Sequence, residues 1–64
     1  MRRNLIEVSY HPIRKNLVLA PMQIFHARPR MGETAMRTAE RVLARRYRVR
    51  DYLIMDAETL TGGF

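Results

Sequence analysis

The N-terminal half of the chain alternates between apolar and polar residues in the way that β-strands do. In residues 4–11 the side chains at positions 6, 8 and 10 are apolar and those between them are polar, which predicts a half-buried strand. Residues 17–27 are apolar and rich in β-formers, so they predict a second strand antiparallel to the first. Pro21 cannot donate to a ladder, so the second strand is expected to be an edge strand or to be broken there.

A single amphipathic helix is predicted after a connector at residues 28–32. From Glu33 to about Tyr47 apolar residues recur at steps of three and four, which places them on one helical face. The segment contains no Gly or Pro and is rich in good helix formers. The predicted apolar face consists of Ala35, Met36, Ala39, Val42, Leu43 and Tyr47.

A third strand is predicted over residues 48–56. The run Tyr52–Met55 is apolar at both parities, so we expect this strand to be buried on both faces and central in the sheet. Residues 57–64 include Gly62 and Gly63 and predict a flexible tail.

The order of these elements predicts a small α+β domain of β-β-α-β type. We expect a three-stranded sheet with one amphipathic helix packed on one face, in a single domain of residues 1–64 with an ordered core of about residues 4–56. A right-handed crossover through the helix makes the second and third strands parallel. The uncovered face and the free edges of the sheet are then places where a second copy or a partner could add.

The small size of the chain indicates that it needs support from another molecule. A domain of 64 residues buries only about 60% of the surface of its unfolded chain. The absence of cysteine excludes disulfides and thiolate zinc sites, and His11 and His26 have no partner motif for a metal. We therefore expect no cofactor, and we expect self-association or docking on a larger partner to supply stability.

No segment of the sequence reads as a targeting signal or a membrane span. The longest apolar stretch, Leu17 to Met22, contains Pro21 and is far shorter than the roughly 20 residues that cross a bilayer. We expect a soluble protein without membrane association, located in the cytoplasm, or in the host cytoplasm if the chain is phage-encoded.

Charge is concentrated in one part of the chain. The formal net charge is +6, and residues 28–50 hold eight arginines against Glu33 and Glu40. The arginine bias fits GC-rich codon composition, and it equally fits a surface that uses the planar, multi-donor guanidinium to hold phosphate or carboxylate.

The helical periodicity places several of these charges in one row. Glu33, Arg37, Arg41 and Arg45 are spaced by four and are predicted to lie along the solvent side, with Glu33 and Glu40 both in reach of Arg37. Repulsion within this row is relieved when an anionic partner binds. The predicted anion- or partner-binding residues are Arg37, Arg41, Arg45, Arg46, Arg48, Arg50, Arg28 and Arg30. An ordinary charged outer face that keeps a small domain soluble is the alternative interpretation.

Catalysis is not indicated by any constellation of residues. Glu7, Ser9 and His11 share a strand face, but successive side chains there are roughly 7 Å apart, too far for a hydrogen-bonded triad. We therefore expect neither an enzyme nor a small-molecule substrate. Base stacking needs exposed aromatic rings, and only Tyr52 and Phe64 are candidates because the other rings fit the core.

The element order resembles that of several small phage and mobile-element proteins, among them inhibitors that lytic phages direct against host RNA polymerase. The likeness lies in that order and in the helix opening Gly32-Glu33-Thr34-Ala35 with Ala39-Glu40. The resemblance implies a small binder of a large host assembly and carries over no functional residue.

Three functions remain open from the sequence. The first is a small basic, non-enzymatic binding protein that grips an anionic surface, either nucleic acid or a nucleic-acid-associated machine. The second is a phage-type inhibitor or assembly factor that binds an acidic surface of a host protein such as RNA polymerase. The third is a structural subunit of a virion or a ribosome-associated particle. Homo-oligomerisation is compatible with each.

Overall fold

The computed structural model describes residues 4–60. The elements are β1 (Leu5–Pro12), β2 (Gln23–Ala27), α1 (Ala35–Leu43), a 3₁₀ turn (Val49–Asp51) and β3 (Tyr52–Leu60). The predicted fold class is confirmed: a three-stranded sheet carries one helix on one face. No helix within these residues has the length and apolar character needed to cross a bilayer.

The strand that begins the chain is the centre of the sheet. The strand order is β2-β1-β3, and β1 pairs antiparallel with both neighbours. β2 and β3 therefore run in the same direction, as the crossover rule predicts, but β1 lies between them. The prediction that the third strand is central was wrong, because β3 pairs with β1 alone and is an edge strand. The prediction that it is buried on both faces was also wrong, since Leu53 and Met55 are exposed.

The core lies between β1 and α1 and confirms the alternation in the first strand. Ile6, Val8 and Tyr10 are buried on the helix side of β1, and Ala39 and Leu43 are buried on α1. The partly buried residues around this core are Phe25, Ala35, Ile54 and Ala57. Such a small apolar core is consistent with the marginal burial expected for this chain length.

The helix is shorter at both ends than the predicted span of Glu33 to Tyr47. Thr34 is the N-cap, and its side-chain oxygen accepts a hydrogen bond from the backbone N–H of Arg37 at 3.2 Å. The last helical residue is Leu43, and Ala44 is the C-cap. Glu33, Arg45 and Tyr47 consequently lie outside the helix, which changes the geometry of the predicted charge row.

The strand boundaries also differ from the prediction. β2 begins at Gln23 rather than at residue 17, because Pro21 interrupts the ladder and the preceding residues form a hairpin arm, defined here as residues 13–22. The flexible tail predicted from residue 57 was wrong for Ala57–Leu60, which continue β3 opposite β1. The remainder of that predicted tail, residues 61–64, lies outside the described residues.

Candidate anion-binding surface

The connector between β2 and α1 ends in a tight turn that orients Glu33. The Glu33 N–H donates to the carbonyl of Arg30 at 2.9 Å. Gly32 occupies the third position of this turn with a φ of 77°, a left-handed conformation that glycine adopts without steric cost. The turn directs the Glu33 side chain back over the first turns of the helix.

The Glu33 carboxylate accepts hydrogen bonds from three residues, one in the connector and two in the helix. It accepts from the Arg30 N–H at 2.9 Å and from the buried Thr38 hydroxyl at 2.8 Å. Arg41 donates to both carboxylate oxygens, from Nε at 2.9 Å and from Nη2 at 3.0 Å. The same Nη2 also donates to the carbonyl of Arg28 at 3.0 Å. This network fastens the connector onto the helix.

Arg41 is therefore partly buried and paired with an acid, unlike the exposed arginines around it. Its side chain is 24% exposed and that of Glu33 is 14% exposed, and the bidentate geometry is the strong form of an ion pair. The prediction of a continuous strip through Arg37, Arg41 and Arg45 was wrong at its middle member. Glu33 lies before the helix N-cap, so its carboxylate reaches Arg41, eight positions along, rather than Arg37.

The electrostatics of the pair follow from its hydrogen bonds. The guanidinium of Arg41 and the N–H of Arg30 stabilise the charged carboxylate and lower the pKa of Glu33 from 4.5 to about 2. The same hydrogen bond with Glu33 raises the pKa of Arg41. Both groups are charged at neutral pH, and their opposite charges cancel each other within the pair. Arg41 therefore adds almost nothing to the attraction for an outside anion.

The other seven predicted arginines are exposed. None of them forms an ion pair within the described part of the chain. They divide by position along the chain, since three precede or begin the helix and four follow it. The N-terminal arginine group is Arg28, Arg30 and Arg37, and the C-terminal arginine group is Arg45, Arg46, Arg48 and Arg50.

Tyr47 anchors the backbone that carries the C-terminal arginine group. Its N–H donates to the carbonyl of Leu43 at 2.9 Å as the chain leaves the helix. Its ring packs edge-on against Tyr10, with centroids 5.9 Å apart, and against Tyr52 at 6.3 Å. The hydrogen bond between the Tyr47 and Tyr10 hydroxyls, together with burial, raises the pKa of Tyr10. Tyr47 thereby fixes the backbone of this segment to the sheet, while the arginines on either side of it stay exposed.

The aromatic rings are not available as stacking platforms. Tyr52, one of the two predicted candidates, is half-buried against Tyr47, and Phe64 lies outside the described residues. The other Phe and Tyr rings in residues 4–60 are likewise buried or half-buried. The surface therefore offers guanidinium groups and no exposed Phe or Tyr ring within this range.

The polar residues of β1 make structural contacts. His11 Nδ1 lies 2.8 Å from the carbonyl oxygen of Ala20 and fastens the base of the arm. Glu7 Oε2 lies 3.1 Å from Nε2 of His26 on the neighbouring strand. Within the described residues no group of three His, Asp or Glu side chains could hold a metal ion.

Acidic residues collect on the side of the sheet that faces away from the helix. We call this side the open face; it consists of alternate residues of the three strands, including Glu7, Ser9, Ile24, His26, Leu53, Asp56 and Glu58. Glu7 lies directly opposite Glu58 in the ladder, and Ser9 lies opposite Asp56. The three strands contain no Lys or Arg. Three of the six acids thus lie on the open face, whereas Glu33 and Glu40 lie among the arginines of residues 28–50, a distribution that composition alone does not reveal.

The sequence matches no protein-family model and no curated protein, and the fold matches no solved structure. Function is accordingly inferred from the two arginine groups and from what surrounds them.

Proposed function

We propose that this protein is a non-enzymatic binding protein whose two arginine groups hold the phosphate backbone of nucleic acid. The observation that carries the proposal is the exposure of seven arginines within residues 28–50 without an ion pair in the described structure. The acids of the open face lie on the other side of the sheet, so they do not neutralise these groups.

Arginine is well suited to this role for a physical reason. Its guanidinium is always charged at physiological pH, and its planar fork donates two parallel hydrogen bonds to a phosphate. Like charges held close together repel each other in the free protein, and an anionic backbone relieves that repulsion while releasing its own counterions. The clustering at each end of a nine-residue helix supports contacts with two separated stretches of backbone.

The proposed binding is independent of base sequence. Sequence reading requires side chains that reach base edges or exposed rings that stack on bases, and the described Phe and Tyr rings are buried or half-buried. Phosphate contacts fix position and supply affinity but carry no sequence information. Affinities for duplexes of unrelated sequence are expected to be equal.

Gel shifts of duplex DNA and of RNA at low and at near-physiological salt test this proposal. The logarithm of the binding constant should fall linearly with the logarithm of salt, by about 0.9 for each phosphate contacted on duplex DNA. Absence of a shift at low salt with micromolar protein would reject nucleic acid as the partner.

An acidic protein surface is the second candidate partner, and one observation favours it. Guanidinium pairs with carboxylate as well as with phosphate, and ten large apolar side chains are exposed within residues 4–60, which is typical of protein contacts. Affinity purification from nuclease-treated lysate distinguishes the two. Recovery of one stoichiometric protein supports this candidate, and recovery of none counts against it.

A further inference from the structure

The hairpin arm projects from the sheet, and its side chains are largely exposed. Residues 14–19 are all exposed, as are Pro21 and Met22. The molecule measures 45 × 19 × 14 Å, whereas the longest strand, with nine residues, spans only about 30 Å. The apolar side chains Leu17, Val18, Leu19 and Met22 of the arm are each exposed by between 46 and 84%.

At the tip of the arm, a leucine has a left-handed backbone conformation that glycine adopts more easily. The Leu17 N–H donates to the Arg14 carbonyl at 2.8 Å, and the Arg14 N–H donates to the Val18 carbonyl at 2.9 Å. Leu17 closes this turn with a φ of 65° while its side chain is 84% exposed. A left-handed leucine is strained, and the side chain gains nothing from packing inside its own chain. Strain of this kind is retained where the side chain has a role elsewhere.

The open face is complementary to the arm, because it exposes apolar side chains and carries acids where the arm carries bases. It exposes Ile24 and Leu53, and Met55, the extra residue of the bulge between Ser9 and Tyr10, is exposed beside them. Its charged residues are acidic, with Glu7 and Glu58 directly opposite each other. Like charges in facing positions of a ladder are unfavourable, so a cation placed over them would relieve the repulsion.

We propose that the arm of one copy docks on the open face of a second copy, and that the exchange is reciprocal across a two-fold axis. The arm carries Arg14 and Lys15, and no acid occurs anywhere in residues 8–32. The face carries acids, and no Lys or Arg occurs in any strand. The two histidines of the strands, His11 and His26, contact the Ala20 carbonyl and the Glu7 carboxylate. Arm and face therefore carry opposite charges, and both expose apolar side chains. A reciprocal contact covers the four apolar residues of the arm together with those of the face, and it enlarges a core of only five buried apolar residues in the described chain.

A staggered face-to-face arrangement satisfies this exchange. The two sheets face each other, are offset along their strands and have their arms pointing in opposite directions. Each arm then lies across the partner's sheet. Both helices then point outward, so both copies keep their arginine groups free. The inference does not depend on the proposed function, because the dimer contact uses neither arginine group.

Sedimentation equilibrium of the full chain provides the first test. We expect a dimer at concentrations of about 100 μM, within range of a modest affinity. A protein that is monomeric up to about 1 mM overturns the inference. If that monomer binds vesicles of anionic phosphatidylserine through Leu17, the arm is a membrane contact and the inference is again overturned.

Charge exchange provides the decisive test. The arm variant R14E/K15E and the face variant D56K/E58K should each weaken dimerisation by at least about tenfold. An equimolar mixture of the two variants should restore a heterodimer, because each arm then meets a face of opposite charge. A single chain with all four substitutions should dimerise again.

A heterodimer formed from the arm variant and the face variant shows that both are folded. Circular dichroism of each variant alone gives an independent check. Variants R14E/K15E and D56K/E58K that dimerise like the wild type overturn the inference, as does a mixture that stays monomeric. Gel shifts on the same samples keep the two proposals separate. A wild-type monomer that binds nucleic acid refutes only the dimer, and a dimer that binds none refutes only the proposed function.

Discussion

At the scale of single residues, Glu33 determines how the connector and the helix are held together. Its carboxylate joins the Arg30 N–H, the Thr38 hydroxyl and the Arg41 guanidinium. Thr38 is fully buried, and a buried hydroxyl without a partner is costly. The Thr34 carbonyl lies 2.9 Å from the same hydroxyl, so Glu33 is one of two acceptors for this core group. The same carboxylate neutralises Arg41, the one arginine of the helix that is not exposed.

The lowered pKa of Glu33 predicts a specific acid sensitivity. Its pKa is about 2 in the folded chain against 4.5 ordinarily, so its stabilising contribution is complete above pH 4.5 and is lost as the pH falls towards 2. We expect E33Q to be less stable than the wild type at neutral pH and to lose less stability across this window. Urea unfolding midpoints measured between pH 2 and 7 check this. E40Q is the matched control, since Glu40 is exposed and unpaired in the described structure. Parallel pH profiles for E33Q and the wild type would contradict the assignment.

The left-handed Leu17 predicts a substitution that stabilises the monomer. Replacing it with glycine removes the backbone strain, and we expect L17G to raise the free energy of unfolding by about 0.5–1 kcal/mol. Val18 has no positive φ, so V18G should instead destabilise the chain because glycine has more freedom when unfolded. Urea unfolding below the dimer concentration gives the comparison. A destabilised L17G would mean that the side chain already packs within its own chain.

At the scale of elements, the sequence predicts best where one local signal determines the structure. The alternation in β1 encodes which side chains face the helix, and Ile6, Val8 and Tyr10 are buried as expected. The helix periodicity identifies α1, and the preference of Thr for N-caps is the signal that locates its start at Thr34 and excludes Glu33 from the helix. Placing β3 at an edge could not be predicted, because its apolar run resembles that of a strand buried on both faces. The arm could not be predicted either, because its apolar residues read as strand although they pack on nothing within the chain.

Tyr47 predicts a link between the aromatic cluster and the segment that follows α1. Y47A removes the ring contacts with Tyr10 and Tyr52, and we expect it to destabilise the fold by about 2 kcal/mol because the ring is half-buried. Y47F keeps the rings and loses only the 3.5 Å hydroxyl contact, which should cost less than about 1 kcal/mol. Amide hydrogen exchange of residues 45–50 should accelerate in Y47A and not in Y47F. Equal exchange in the two variants would show that this segment is held by other contacts.

At the scale of the whole molecule, the chain carries an acidic patch on the open face and most of its exposed arginines on and around the helix. The open face carries Glu7, Asp56 and Glu58, while the exposed arginines of residues 28–50 flank the helix. The concentration of arginine is visible in the sequence, but the separation is not, because it depends on how β3 pairs with β1. Such a distribution strengthens the local field at the arginines beyond what a net charge of +6 implies.

The two arginine groups predict a pattern of salt dependence that net charge alone does not. R28Q/R30Q/R37Q and R45Q/R46Q/R48Q should each reduce the slope of log binding constant against log salt by about 0.9 for every phosphate contact that is lost. For a single change, R46Q should lower the slope, whereas T59E, which lowers the net charge by the same one unit at an exposed position on β3, should leave it nearly unchanged. R41Q should reduce stability, because it leaves Glu33 without its main partner, and should not alter the slope of the folded protein. If R46Q and T59E weaken binding equally, the protein responds to total charge only, and the arginine groups are an ordinary charged surface.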